Sequence, residues 1–244
     1  MEFAVEAVKL TKKFKDLAAV SELNLQIQRG EIFGLVGPDG AGKTTTLRLL
    51  STAMEQTSGE VKVLGLDTLK DEEKIRDKIG YMPQRFSLYG DLTVDENIDF
   101  FADIYSVPKG EGRNARKEEL LRFTNLSSFT GRKAQNLSGG MQKKLGLACN
   151  LIHTPEILFL DEPTTGVDPI SRREFWRILY RLNEVTIIVT TPYMDEAERC
   201  NRIGLIREGK LLICDTPDEV KKKNRAKSLE EAFINIVETY RTPA

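Results

Sequence analysis

Three short stretches concentrate the residues able to do chemistry. Gly37-Pro38-Asp39-Gly40-Ala41-Gly42-Lys43-Thr44 fits the pattern G-x-x-x-x-G-K-[ST], a phosphate loop. Its glycines let backbone N–H groups turn inward around an anion, and a helix starting near Lys43 aims its positive end at the same place. Lys43 supplies a mobile cation for β- and γ-phosphates, and the Thr44 hydroxyl suits Mg2+. Ile157-Leu158-Phe159-Leu160-Asp161-Glu162 is an apolar run ending in two carboxylates. At the carboxyl end of a parallel strand, Asp161 can reach a Mg2+ shell through water. Glu162 can orient or deprotonate an attacking water. By itself such a pair is an ordinary strand end with exposed acids; in one chain with a phosphate loop it is not. The third stretch is Leu137-Ser138-Gly139-Gly140-Met141-Gln142. A Ser-Gly-Gly turn opening an apolar helix offers a hydroxyl and unobstructed N–H groups to a second anion, although alone it reads equally as an N-cap.

The elements that must position these residues are mixed. Val5, Ala7 and Leu10, and again Leu23, Leu25 and Ile27, alternate with polar residues as half-buried antiparallel strands require. Ile32–Val36 is a continuous apolar run leading into the glycine-rich loop, the mark of a strand buried on both faces. Further buried strands are expected at Ile79–Met82, Ile157–Leu160, Thr186–Val189 and Ile203–Ile206. Phe175, Ile178, Leu179 and Leu182 repeat at helical spacing behind Asp168-Pro169, an N-cap followed by Pro. Thr93–Glu96, Thr216–Glu219 and Ser228–Glu231 have the form of capping boxes, and Glu118–Phe123 reads as helix. A last helix is expected to gather Phe233, Ile236, Val237 and Tyr240 on one face. Strand signals vanish between about Leu88 and Ala148, so an α/β core carrying antiparallel strands is interrupted by a helical insert.

Composition narrows the class. The chain has 244 residues, Lys+Arg 36 against Asp+Glu 37 and 40% hydrophobic residues, as a soluble globular protein has. A formal charge of −1 removes the simplest case for binding nucleic acid, which needs excess Lys and Arg. Apolar stretches are strand-sized, far short of the roughly 20 residues a membrane-spanning helix needs. The N-terminus, Met1–Glu6, has no signal-peptide form. Cys149, Cys200 and Cys214 are far apart and read as reduced core thiols, so a cytosolic protein is expected. The run Lys221–Lys223 with Arg225 and Lys227 reads as a solvated helix end, and His153, the single histidine, as structural or C-capping.

Taken in order, the phosphate loop, Gln84, Leu137–Gln142 and Asp161-Glu162 closely resemble the motifs of an ATP-binding-cassette (ABC) ATPase, with a match covering about Val5 to Ile213. That resemblance implies a P-loop NTPase (RecA-like) α/β core with an antiparallel β subdomain and an inserted α-helical subdomain. As boundaries it gives residues 1–87 and 149–244 for the core and 88–148 for the helical signature subdomain, in a single domain of 1–244. It implies ATP and Mg2+ as cofactors. Gly37, Pro38, Asp39, Gly40, Ala41, Gly42, Lys43, Thr44 and Thr45 then hold phosphates, and Ser138, Gly139, Gly140 and Gln142 meet a second nucleotide. Thr44, Gln84 and Asp161 serve the metal, while Glu162, Lys43 and Gln84 serve catalysis. Phe14 looks like the aromatic that stacks on adenine, the alternative being a core strand residue. Gln84 looks like the glutamine that senses Mg2+ and γ-phosphate, and Asp168 like the aspartate that communicates across a dimer. One departure stands out. Where the family places a histidine contacting γ-phosphate, alignment on Asp195-Glu196-Ala197 puts Pro192.

The function so implied is a subunit that binds and hydrolyses MgATP to power a membrane transporter. Ser87–Asn97 and Asp195–Glu198 resemble ABC-2-type, multidrug exporter ATP-binding proteins. Expected partners are integral membrane subunits, contacting the groove around Gln84–Asp91, and a second cassette joined head-to-tail; nucleic acid is not expected. The expected location is cytoplasmic, peripheral on the inner face of the cell membrane. Alternatives are a degenerate, weakly hydrolytic cassette paired with a complete one, a soluble non-transport ABC protein, and a fragment of a two-cassette chain.

Overall fold

Ile32-Phe33-Gly34-Leu35-Val36 offers no polar position to solvent, and all of it is buried in the strand it forms. The computed structural model describes residues 3–85 and 88–241. The expected boundary at Ser87 and part of the expected Gln84–Asp91 groove therefore lie outside the described residues, as do Met1 and Glu2. In chain order the first elements are β1 (Phe3–Phe14), β2 (Leu17–Gln28), β3 (Ile32–Val36), α1 (Lys43–Leu50), β4 (Ser58–Val63), β5 (Leu66–Asp67) and α2 (Glu72–Arg76). Then come β6 (Ile79–Met82), α3 (Val94–Ile104), α4 (Glu111–Phe123), α5 (Gly139–Leu151), β7 (Ile157–Asp161) and α6 (Pro169–Leu179). The last are β8 (Thr186–Thr191), α7 (Met194–Ala197), β9 (Arg202–Arg207), β10 (Lys210–Asp215), α8 (Pro217–Lys223) and α9 (Leu229–Arg241). Packing divides the chain into two units: Met1–Arg76 with Thr186–Ala244, and Asp77–Val185.

In the first unit β2, β1, β4 and β5 form an antiparallel sheet in that order. Its register sets Val5 opposite Ile27 on one side and Val63 on the other, so alternating apolar residues line one face. β3 runs parallel to both β8 and β9, and β10 closes back antiparallel on β9. The two-residue link between them, Glu208-Gly209, has φ of 50° and 74°, the left-handed pair a tight hairpin needs. α9 is led by Leu229, Ala232, Ile236 and Val237, which are buried. Tyr240, expected on that face, is instead exposed, and its hydroxyl donates to the Leu212 carbonyl at 3.3 Å.

In the second unit β6 and β7 pair in parallel, Ile79 opposite Ile157 and Met82 opposite Leu160. Helices supply the rest, and no strand lies between β6 and β7 among the described residues. α3 begins in a complete capping box: Thr93 Oγ1 accepts from the Glu96 N–H at 3.2 Å, and Glu96 Oε2 accepts from the Thr93 N–H at 2.8 Å. α4 starts seven residues earlier than its apolar pattern suggests, because buried Arg113 is held by Asp99 and Asp103 of α3. Lys117 adds bonds of 3.0 Å to Asp95 and Asp99. α6 ends at Leu179, and Leu182 falls in the turn that follows. Trp176, Phe159 and Phe175 fill this unit's core.

Candidate active site

The phosphate loop connects β3 to α1 in the first unit. Close backbone approach dictates two of its glycines. A Cβ on Gly37 would lie 2.2 Å from the Ile206 carbonyl oxygen, and one on Gly42 would lie 2.5 Å from that of Ala19. Gly42 also has φ of 103°, which favours glycine, and it precedes α1 without any side-chain cap or first-turn acid. The amides at that end are thus offered to whatever anion enters the loop. Lys43 lies across the loop, its Nζ donating to the carbonyls of Gly37 (2.8 Å) and Pro38 (3.0 Å), with its side chain 4% exposed. Asp39 stands in solvent, 3.8 Å from that ammonium. Thr44 and Thr45 are half-buried in the first turn. Phe14, at the end of β1, is 44% exposed, which removes the core-residue alternative; the Lys12 ammonium lies 5.3 Å from its ring centroid.

The carboxylates belong to the second unit. Asp161 ends β7 and Glu162 follows it; both are buried. Glu162 holds φ of 45°, an unusual conformation for a residue with a side chain and one that recurs where geometry serves chemistry. Its Oε2 accepts from Gln84 Nε2 at 2.7 Å and from Thr165 Oγ1 at 3.3 Å. Gln84 and Glu162, 78 positions apart, are therefore brought into direct contact. Lys143 of α5 donates from Nζ to the Gln84 carbonyl at 2.9 Å. Burial pulls the Lys143 ammonium below its ordinary value, and the charges of Asp161 and Glu162 act against that pull. Sequence reading passed over Lys143 and Thr165. The first sits four residues after Gly139 on the same helix face, a spacing that would have flagged it.

Ser138 caps α5, its Oγ accepting from the Met141 N–H at 3.3 Å. The two glycines behind it differ. A Cβ on Gly140 would lie 2.5 Å from the Ser171 Cβ, so α5 and α6 require glycine there; a Cβ on Gly139 would meet nothing within 4 Å. Gln142 turns its amide to the Ala134 carbonyl at 3.1 Å, tying α5 to the preceding turn. Asp168 caps α6 through bonds of 3.0 Å from the Ile170 and Ser171 N–H groups; the Ser171 hydroxyl first, and then these amides, hold its carboxyl below the ordinary value. Beside Pro192, the Thr191 hydroxyl donates to Glu196 Oε2 at 2.7 Å and accepts from the Tyr193 N–H at 3.1 Å. His153 is stacked on Tyr105 with ring centroids 3.6 Å apart, and its Nε2 bonds the Ile79 carbonyl at 2.9 Å, so it serves the β6 edge rather than a helix end.

A phosphate loop after a buried strand and an acidic pair ending another define a nucleoside-triphosphate-binding α/β protein. Residues 20–165 match the family described as ABC transporter, and the chain belongs to that family as an ATP-binding cassette with a P-loop NTPase fold. It is 45% identical over 243 residues to the probable multidrug ABC transporter ATP-binding protein YbhF of Escherichia coli (strain K12), covering 97% of this chain. The match takes in 42% of that relative, so the chain spans less than half its length. It is 36% identical to the linearmycin resistance ATP-binding protein LnrL of Bacillus subtilis (strain 168), over 88% of this chain and 70% of the relative. Among solved structures, a dimeric post-hydrolysis state of the ATP-binding cassette MJ0796 bound to ADP and Pi superposes with a TM-score of 0.79 at 30% identity. That superposition covers 87% of this chain and 98% of the other. No helix among the described residues is long and apolar enough to cross a membrane.

Proposed function

We propose that the chain binds MgATP and hydrolyses it to drive an ABC-2-type exporter of drug-like compounds, working on the cytoplasmic face of the membrane beside integral subunits. The observation that carries the reading is the 2.7 Å bond from Gln84 Nε2 to Glu162 Oε2. It fixes the orientation of a buried carboxylate able to take a proton from an attacking water. Lys43, held by loop carbonyls, puts its charge where phosphate oxygens would be received and stabilises charge developed during phosphoryl transfer. Phe14, exposed at the end of β1, offers a ring face to adenine. For Mg2+ the first unit offers the hydroxyl of Thr44 and the second the amide oxygen of Gln84 and the carboxylate of Asp161, each a hard oxygen of the kind that ion takes. When bound, that ion neutralises charge on the β- and γ-phosphates. No cluster of three or more His, Cys, Asp or Glu gathers among the described residues, and an ion that keeps waters and takes phosphate oxygens needs none.

The solvent-side opening at Gly139 fits a second nucleotide approached from a partner cassette, joined head-to-tail, with 88–148 as the signature-bearing subdomain. The dimeric MJ0796 cassette supports such pairing. The drug-related names of YbhF and LnrL support the export reading. The test is Glu162→Gln, which keeps shape and hydrogen bonding but removes the base. It should bind MgATP as the wild type does, lose hydrolysis, and accumulate ATP-bound dimers by sizing chromatography. Only monomer, with MgATP and with any cognate cassette present, would sink the paired model.

A second reading follows from Pro192. Proline brings neither polar side chain nor N–H, and the Thr191 hydroxyl beside it is committed to Glu196. In this reading the cassette turns over slowly and works beside a complete one. More than half of YbhF lies outside the match, length enough for a second domain of this size.

A further inference from the structure

Lys143 has no part in the phosphate loop, the acidic pair or the Ser138–Gly140 turn, yet it touches the same machinery from behind. Four residues separate it from Gly139 on α5, a helix that packs closely on α6 where Gly140 meets Ser171. Its Nζ donates to the main-chain carbonyl of Gln84 at 2.9 Å, while the side chain of that glutamine donates to Glu162 Oε2 at 2.7 Å. The ammonium also lies within the electrostatic reach of Asp161 and Glu162. One continuous hydrogen-bonded path therefore runs from the helix that begins at Ser138 to the carboxylate that would activate water, entirely within residues 77–185. An exposed lysine on a solvated helix face would not be half-buried and bonded to a main-chain oxygen 59 positions away.

We propose that Lys143 is a positioning residue that makes the catalytic Glu162 of a cassette responsive to what its own Ser138–Gly140 turn has bound. A nucleotide held by the partner's phosphate loop presses on the N-terminal turn of α5; the helix moves as a rigid rod; Lys143 carries that movement to the Gln84 backbone, and the Gln84 amide re-aims Glu162. Occupancy of one nucleotide site is thereby felt at the carboxylate of the other. The inference rests on the ATPase, head-to-tail reading above.

The experiment compares wild type, Lys143→Ala and Lys143→Arg, as the full chain. Steady-state hydrolysis across MgATP concentration is read together with calorimetric nucleotide affinity and amide exchange of residues 81–85 in nucleotide-free protein. Lys143→Ala should lower kcat by roughly tenfold, as loss of one charged hydrogen bond to a catalytic group does. It should also flatten the ATP dependence toward a Hill coefficient of one. Nucleotide affinity stays at the wild-type value, exchange at 81–85 rises, and Lys143→Arg restores all of these. Unchanged kcat, cooperativity and exchange in a folded Lys143→Ala variant would overturn the proposal, as would a loss confined to nucleotide affinity or a failure of Lys143→Arg to rescue. A wild type that neither binds nor hydrolyses MgATP would instead refute the ATPase reading itself, and this inference with it.

Discussion

Lys43 is buried against two carbonyls of its own loop, and that geometry sets what its removal does. Lys43→Ala deletes a cation that no neighbour in the loop can replace, since Asp39 carries the opposite charge. Each charge-assisted bond lost to phosphate is worth about 1.5–3 kcal/mol, so calorimetry should show MgATP affinity reduced by at least tenfold. An unchanged affinity would contradict the role. His153 tests burial differently. Burial depresses its pKa below the ordinary 6.5, against the smaller effects of the Ile79 carbonyl and Asp77. Above pH 6.5 the ring is neutral in both folded and unfolded chains and costs nothing. As pH falls below that value the unfolded chain takes up a proton that the folded one resists, so stability declines toward the depressed folded pKa. The chain has a single histidine, so the effect is separable. Between pH 7 and 5, thermal unfolding should lose less stability in His153→Phe than in the wild type; parallel losses would assign the acid sensitivity elsewhere.

At the scale of elements, α5 offers a paired test. Gly140 is required by packing against Ser171, whereas Gly139 faces open space and its backbone lies outside the left-handed region. Gly140→Ala should therefore destabilise the fold by roughly 1–3 kcal/mol, the cost of overpacking. Gly139→Asp should melt like the wild type yet fail to form MgATP-dependent dimers, since its carboxylate would face the opposing phosphate. Loss of folding in Gly139→Asp, or retained dimers, would refute the distinction. The same elements show what sequence could reveal. Strands with a full apolar run (Ile32–Val36, Ile157–Leu160) and helices with their own caps (Thr93, Asp168, Thr216) were legible because local residues dictate them. β4 was not: only Val61 and Val63 are buried in Ser58–Val63, and its pairing with β1 makes it a strand. The start of α4 was not either, because Gly112 and Asn114 favour helix poorly and Arg113 is anchored from α3. In the site, motif residues could be read off the chain. The Lys143–Gln84–Glu162 path could not, for it joins three segments whose spacing means nothing until they fold.

For the whole molecule the open consequence is whether this cassette turns over ATP by itself or beside an unlike partner. Glu162 is in place with Gln84 and Thr165 donating to it, so chemistry is available. What the chain lacks is a polar group at position 192. Thr191 cannot supply one without giving up Glu196, because its one proton already goes to that carboxylate. Absence of a transition-state hydrogen-bond donor costs on the order of 10²–10³ in rate. The wild-type chain assayed alone should accordingly hydrolyse MgATP slowly, and Pro192→His should raise kcat while leaving nucleotide affinity unchanged, since ground-state contacts to the phosphates come from the loop and Lys43. The substitution restores a backbone N–H and relieves a fixed φ in the turn after β8, so circular dichroism and melting temperature must be shown unaltered before rates are compared. A mixed dimer of this chain with a complete cassette should then hydrolyse at the rate of its better site, and Glu162→Gln in this chain should cost that mixed dimer little. A fast wild-type homodimer, unimproved or slowed by histidine at 192, would mean that another group performs the missing contact, and would remove the reason for an unequal pair.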